Sequence, residues 1–126
     1  MVSQNTVAAL GAINAALAIV AGAFGAHALR EKLTAPLLRA FETGAQYHFY
    51  HALGLFALAF ALTRLPDSPW VVRAFYLMLA GMLLFSGSLY ALALSGKSAL
   101  GAITPLGGLA LIAAWTCLAI AFLATD

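Results

Sequence analysis

The sequence predicts an all-α integral membrane protein, a bundle of four transmembrane helices. Only 8% of the residues are charged and 64% are hydrophobic, whereas a soluble domain carries about 25% charged residues. The few charges are placed so that four long stretches contain none, at residues 1–29, 43–63, 74–96 and 98–125. Each stretch reaches the roughly 20 residues that an α-helix needs to cross a bilayer.

These stretches predict helices at about residues 5–26, 37–62, 71–94 and 104–124, in a single domain that covers residues 1–126. The first helix is expected to be retained, because residues 1–6 lack the Lys or Arg that opens a secretory signal peptide. Its spaced alanines are typical of helices whose backbones approach closely in lipid. Asn14 is the strong hydrogen-bonding residue at mid-depth, and we expect it to face another helix.

An amphipathic segment is predicted between the first two helices, lying in the membrane interface. Arg30, Glu31 and Lys32 mark the exit from the membrane. An apolar residue then recurs at every fourth position, while Arg39 stays off that stripe, as in interfacial helices. The members of the stripe are Leu29, Leu33, Leu37 and Phe41.

The loops also predict an orientation. Pro66 and Pro69 place a turn between the second and third helices. The first and third loops together hold Arg30, Lys32, Arg39 and Lys97, and the second holds Arg64 and Arg73. Since cytoplasmic loops carry the excess of Lys and Arg, we expect the first and third loops in the cytoplasm and both termini outside.

Four ordered motifs carry a resemblance to a known family. They lie at residues 22–28 (GAFGAHA), 43–51 (TGAQYHFYH), 84–90 (LFSGSLY) and 103–108 (ITPLGG). Together they resemble the family named domain of unknown function 423, small bacterial inner-membrane proteins that are similar to transmembrane protein 256 of eukaryotes. The resemblance covers essentially the whole chain and implies a four-helix protein of the inner membrane. It implies no reaction, because the family has no settled biochemical function.

A polar cluster at the start of the second helix is the candidate functional site. At about 100° per residue its polar side chains cover more than half of the helix circumference. Lipid cannot satisfy these groups, so they must face protein, headgroups or a water-filled cleft. We expect His48 and His51 to contact a ligand, with a lining and an edge formed by Glu42, Gln46, Tyr47, Tyr50, His27 and Arg39.

Three interpretations of this cluster stay open. In the first, the cluster is a pocket for a small ligand, a lipid headgroup or an ion, since aromatic faces mixed with donors and acceptors line such pockets. In the second, it is a metal site, with His48, His51 and His27 as weak candidate ligands. Alternatively, its side chains form hydrogen bonds that lock the helices together.

The function class with most support is therefore a non-catalytic membrane protein, with a scaffold or assembly protein as the alternative. Small-residue faces on the first and fourth helices would then dock a membrane-protein partner or a second copy, giving a homo-oligomer. Enzymatic activity is left uncertain, leaning no, because nothing in the sequence places a base beside Ser86 or Ser88. Any cofactor is left unknown. The lone Cys117 suits apolar packing, and no basic cluster points to nucleic acid.

Overall fold

The computed structural model describes residues 2–124, and their regular structure is entirely helical. Four long helices follow one another: α1 (Gln4–Phe24), α2 (Ala35–Arg64), α3 (Pro69–Ser95) and α4 (Thr104–Leu123). Two short pieces accompany them, a π-helical turn at Gly25–Leu29 and a 3₁₀ turn at Ser98–Ala102. The all-helical prediction is thereby confirmed for residues 2–124.

Each helix end has a local cause in the sequence. The side chain of Ser3 accepts a hydrogen bond from the backbone N–H of Thr6 and caps α1. A proline lies in the first turn of α2, α3 and α4, where its missing N–H costs nothing. Gly96 ends α3 with φ of 70°, a left-handed conformation that residues with a Cβ avoid.

The expected amphipathic segment takes a different form in the structure. α2 already begins at Ala35, so Leu37 and Phe41 belong to this long helix. Leu29 and Phe41 are buried together with Ala93 in a small cluster. The apolar stripe packs on the other helices because the turn of residues 30–34 folds α2 straight back along α1.

The helices pack in chain order, α1 on α2, α2 on α3 and α3 on α4. The main core lies among all four helices, and its largest fully buried side chains include Leu55, Leu58 and Met78. α3 and α4 approach closely at Gly107, where an added Cβ would lie 2.3 Å from the backbone N of Phe85. Close contact of this kind is what small residues permit in membrane helices.

Within residues 2–124, three helical segments are long and apolar enough to cross a membrane: Gln4–Leu29, Pro69–Ser95 and Ser98–Leu123. Large apolar side chains also cover the outside, for example Val20 at 66% exposure and Leu83 at 73%. α2 is longer, with 30 residues, but its Gln46, His48 and His51 lower its hydropathy. The structure therefore gives three apolar candidate spans and one helix of mixed character.

Candidate functional site: a polar chain beside a cleft between α1 and α3

A chain of hydrogen bonds crosses three helices at His48. The Asn14 side chain on α1 donates from Nδ2 to the backbone O of Leu10, at 2.8 Å. Asn14 Oδ1 lies 3.0 Å from His48 Nε2, and His48 Nδ1 lies 3.1 Å from Tyr90 Oη on α3. The interhelical hydrogen bond expected of Asn14 is therefore present, and His48 is its partner.

The chemistry of these groups fixes the direction of each bond. An amide oxygen can only accept, so His48 must carry a hydrogen on Nε2 and donate it to Asn14. In the neutral ring Nδ1 is then an acceptor, so the Tyr90 hydroxyl donates to it. Both ring nitrogens of His48 are occupied, which holds this tautomer and ties α1, α2 and α3 together.

A cleft of about 260 Å³ opens beside this chain, between α1 and α3 with α2 as its floor. Most of its wall is apolar, and the polar residues along it are those of the chain and one serine. The complete lining is Asn14, His48, Leu79, Met82, Leu83, Ser86, Gly87 and Tyr90. It therefore suits a mainly apolar occupant with few polar atoms.

Ser86 is the unsatisfied group of this cleft. It is 3% exposed, and its Oγ has no hydrogen-bond partner in the part of the chain described here. A serine in a membrane helix usually bonds back to the carbonyl one turn earlier, as Ser95 does to Ala91 O at 2.6 Å. An unpaired buried hydroxyl is costly, so Ser86 is the polar residue of this lining whose hydrogen-bonding capacity is unmet.

His51 lies one turn further along α2 and faces a different neighbour. It is buried, and its Nδ1 lies 2.6 Å from the backbone O of Tyr47, to which it donates. Its ring stands 6.1 Å from the Tyr47 ring and 6.2 Å from that of Trp115 on α4. The two predicted contact histidines are thus separated, and His48 is the one that lines the cleft.

The remaining predicted site residues lie outside the cleft. Glu42, Gln46 and Tyr50 are exposed on the outer side of α2, and Gln46 donates a hydrogen bond to Tyr50 Oη. Tyr47 is 39% exposed and packs on Phe85 of α3, with ring centres 4.6 Å apart. The other two, Arg39 and His27, are exposed at the start of α2 and in the π-helical turn.

The structure gives the metal interpretation no support. Across residues 2–124, no group of three or more His, Cys, Asp or Glu side chains is placed to hold a metal ion. The three candidate histidines do not converge. His48 is hydrogen-bonded at both ring nitrogens, the ring of His51 lies beside Trp115, and His27 is exposed. An HxxH pair on one helix brings two rings to neighbouring faces but supplies no third ligand.

The fold gives the general class of this protein, and comparison with known proteins then identifies its family. A helical fold with long apolar helices and a polar chain between them defines a small membrane protein. The family described as "Protein of unknown function (DUF423)" matches residues 21–108, and the chain belongs to this family. The resemblance of the four sequence motifs is thereby confirmed.

Relatives of the chain carry the names of membrane proteins. It is 54% identical over 112 residues to UPF0382 membrane protein YwdK of Bacillus subtilis, covering 89% of this chain and 91% of the relative. It is 38% identical over 104 residues to UPF0382 inner membrane protein YgdD of Escherichia coli, covering 82% and 79%. No solved structure matches the chain. The chain is therefore a membrane protein of a family whose biochemical function is not defined.

Proposed function

We propose that this protein binds a mainly apolar membrane lipid or other small amphiphile, one hydroxyl or carbonyl group of which bonds to Ser86 in the cleft between α1 and α3. The observation that carries the proposal is the unpartnered Ser86 Oγ in a mostly apolar wall. A ligand atom there would satisfy a hydroxyl that otherwise stays unpaired. The neighbouring His48 and Tyr90 are already bonded, so they shape the site more than they compete for the ligand.

Four helices crossing the bilayer are part of this proposal. α1 and α3 belong to apolar segments of 26 and 27 residues, and α2 packs along both. α2 joins α3 through residues 65–68 only, a loop too short to let α2 lie outside the membrane. At about 1.5 Å per residue, α2 is about 45 Å long and exceeds a hydrocarbon core of about 30 Å.

This arrangement also favours an apolar ligand over a headgroup. Ser86 lies near the middle of the charge-free residues 74–96, about 15 Å from the nearer end at the helical rise. Leu83 borders the cleft and is 73% exposed, so the cleft opens toward the lipid tails. Lipid tails, and a single hydroxyl or keto group carried on such a chain, reach this depth, whereas phosphate groups stay at the surface.

For the orientation, we retain the expectation from the loop charges: first and third loops cytoplasmic, both termini outside. Arg30 and Lys32 follow α1 and are exposed, as is Lys97 after α3. Labelling single cysteines at Lys32 and at Asp67, in the cysteine-free Cys117→Ala background, with a membrane-impermeant maleimide in whole cells tests it. In the proposed orientation, the cysteine at position 67 is expected to react with the reagent and the cysteine at position 32 to be protected. The opposite pattern would show that the orientation is the reverse of the one proposed.

The ligand proposal is tested by extracting and identifying what copurifies with the protein from native membranes in mild detergent. Wild type is expected to retain an amphiphile in near-stoichiometric amount, and Ser86→Leu, which fills the cleft, is expected to lose it. Ser95→Ala is the matched control, because it removes an exposed serine from the same helix. The proposal is refuted if well-folded wild type retains nothing above the detergent background, or if Ser86→Leu retains as much as wild type.

A further inference from the structure

The outer side of α2 carries a polar stripe that no part of the bundle covers. Arg39, Glu42, Gln46 and Tyr50 follow at intervals of three, four and four residues, and all four are exposed. We call these four residues the outer stripe. They lie on the side of α2 opposite to its buried residues, such as Leu55.

If α2 crosses the bilayer, as the proposed function has it, half of the outer stripe reaches hydrocarbon depth. Gln46 and Tyr50 lie inside the charge-free residues 43–63, about 5 Å and about 10 Å from their start at the helical rise. Polar side chains at this depth almost always face protein, because lipid offers no hydrogen-bond partner. Asn14 follows this rule within the bundle, with both ends of its amide bonded.

Gln46 and Tyr50 satisfy each other only in part. Gln46 donates from Nε2 to Tyr50 Oη. This leaves the Gln46 Oε1 as an open acceptor and the Tyr50 hydroxyl hydrogen as an open donor. Within residues 2–124, neither group has another hydrogen-bond partner.

The N-terminal half of the outer stripe carries one positive and one negative charge. Arg39 and Glu42 are three residues apart on α2, yet they form no ion pair with each other or with another described residue. The outer stripe as a whole therefore offers a cation, an anion, a donor and an acceptor. Such a set is complementary to itself.

We propose that the outer stripe is the contact surface of a homodimer in which α2 packs against α2 of a second copy. Two copies inserted in the same orientation are related by a two-fold axis along the membrane normal, so equal residues lie at equal depth. The Tyr50 hydroxyl of each copy then donates to the Gln46 Oε1 of the other, and Arg39 of each faces Glu42 of the other. A second copy supplies every matching group by symmetry, at the depth where it is needed.

Cysteine crosslinking in native membranes tests this contact. In a Cys117→Ala background, Leu53→Cys places a thiol on the same side of α2, one turn beyond Tyr50, at a position that is 49% exposed. Ile112→Cys is the matched control, because Ile112 is 65% exposed on the outside of α4. A short bis-maleimide is expected to give a band of twice the monomer mass for Leu53→Cys and only monomer for Ile112→Cys.

A second set of variants links the band to the polar groups. Adding Gln46→Leu and Tyr50→Phe to Leu53→Cys removes both reciprocal hydrogen bonds, and the crosslinked fraction is expected to fall about fivefold or more. Adding Tyr76→Phe instead removes a hydroxyl from an exposed tyrosine of α3 and is expected to leave that fraction unchanged. All these positions are exposed. Where the variant that combines Gln46→Leu and Tyr50→Phe loses monodispersity, Tyr50→Phe alone is added to Leu53→Cys, and a smaller fall in the crosslinked fraction is expected.

Several results overturn the proposal. The first such result is that Leu53→Cys remains monomeric. The second is that Ile112→Cys crosslinks equally well, which indicates random collision. The crosslinked band contains a different protein, which assigns the outer stripe to another partner. The band keeps its intensity in the Gln46→Leu, Tyr50→Phe variant, which separates dimerisation from these polar groups. Because the cleft and the outer stripe are on different sides of α2, loss of the ligand in Ser86→Leu leaves this result unaffected.

Discussion

The contact of α3 with α4 at Gly107 gives the sharpest prediction of stability. A Cβ at this position would lie 2.3 Å from the backbone N and 2.7 Å from the Cα of Phe85, whereas ordinary contacts begin at 3.4 Å. Gly107→Ala therefore requires α4 to retreat from α3 by 3.4 − 2.3 = 1.1 Å. The obstructing atoms belong to the backbone of a helix, so a change of rotamer cannot relieve the overlap.

A gap of this size is expensive along the whole helix pair. A separation of 0.5–1 Å forfeits about a quarter to a half of the dispersion energy of the contacts it opens, and overpacking a core typically costs about 1–3 kcal/mol. We expect Gly107→Ala to lower the free energy of unfolding by about 3 kcal/mol or more. Buried Leu111 and Ala114 continue the same interface and would lose contact with α3.

The neighbouring glycine is the matched control. A Cβ at Gly108 would lie 3.7 Å from the ring of Phe85, which is ordinary contact. Since alanine favours a helix by up to about 1 kcal/mol over glycine, Gly108→Ala is expected to be neutral or slightly stabilising. Equilibrium unfolding in mixed detergent micelles measures both variants. Equal stabilities of the two variants, or a loss below about 0.5 kcal/mol in Gly107→Ala, would refute the packing argument.

Two further predictions concern hydrogen bonds between helices. In a double-mutant cycle of His48→Leu and Tyr90→Phe, we expect a coupling of about 0.6 kcal/mol and at most about 1.7, as for other membrane hydrogen bonds; strictly additive unfolding free energies would contradict the bond. Ser88 donates to Phe85 O at 3.0 Å, so the 2.6 Å contact with Thr104 on α4 requires Thr104 to donate. Thr104→Val is therefore expected to lose about 1 kcal/mol of stability, and Thr116→Val, which removes a bond within α4 only, to lose less. The same unfolding assay measures these variants, and equal effects in the two threonine variants would contradict an interhelical role for Thr104.

The helical class was predictable because it depends on the length of the uncharged, apolar stretches, which determines whether a helix can cross a bilayer. Charged residues interrupt the sequence at intervals of about one membrane thickness, and each long uncharged stretch coincides with a long helix. The path of the chain between α1 and α2 was harder to predict from the sequence. A π-helical turn at Gly25–Leu29 leaves no pattern in hydropathy, and the apolar stripe through Phe41 indicates a covered face without saying what covers it.

The arrangement of the candidate site depended on packing that periodicity does not contain. A helical wheel gives the angle between His48 and His51 but not which neighbour faces either one. That is decided where helices meet at glycines: Gly11 of α1 lies against the backbone O of Ala52, and Gly44 of α2 lies against Tyr90. Once α1 and α3 occupy those positions, His48 faces the gap between them. Ser86 was visible as a polar residue in an apolar helix, and only the structure shows that its hydroxyl is unpaired.

The mixed character of α2 underlies the proposed dimer contact. Its polar residues lower its hydropathy so far that it is the long helix missing from the apolar candidate spans. A helix of this kind is stable in a bilayer only if each polar group finds a partner there. Asn14 and Tyr90 provide this for His48, and the backbone of Tyr47 provides it for His51. The outward Gln46 has one bond of its own and an open acceptor, so the same physical requirement that explains the covered side of α2 calls for a cover on its other side.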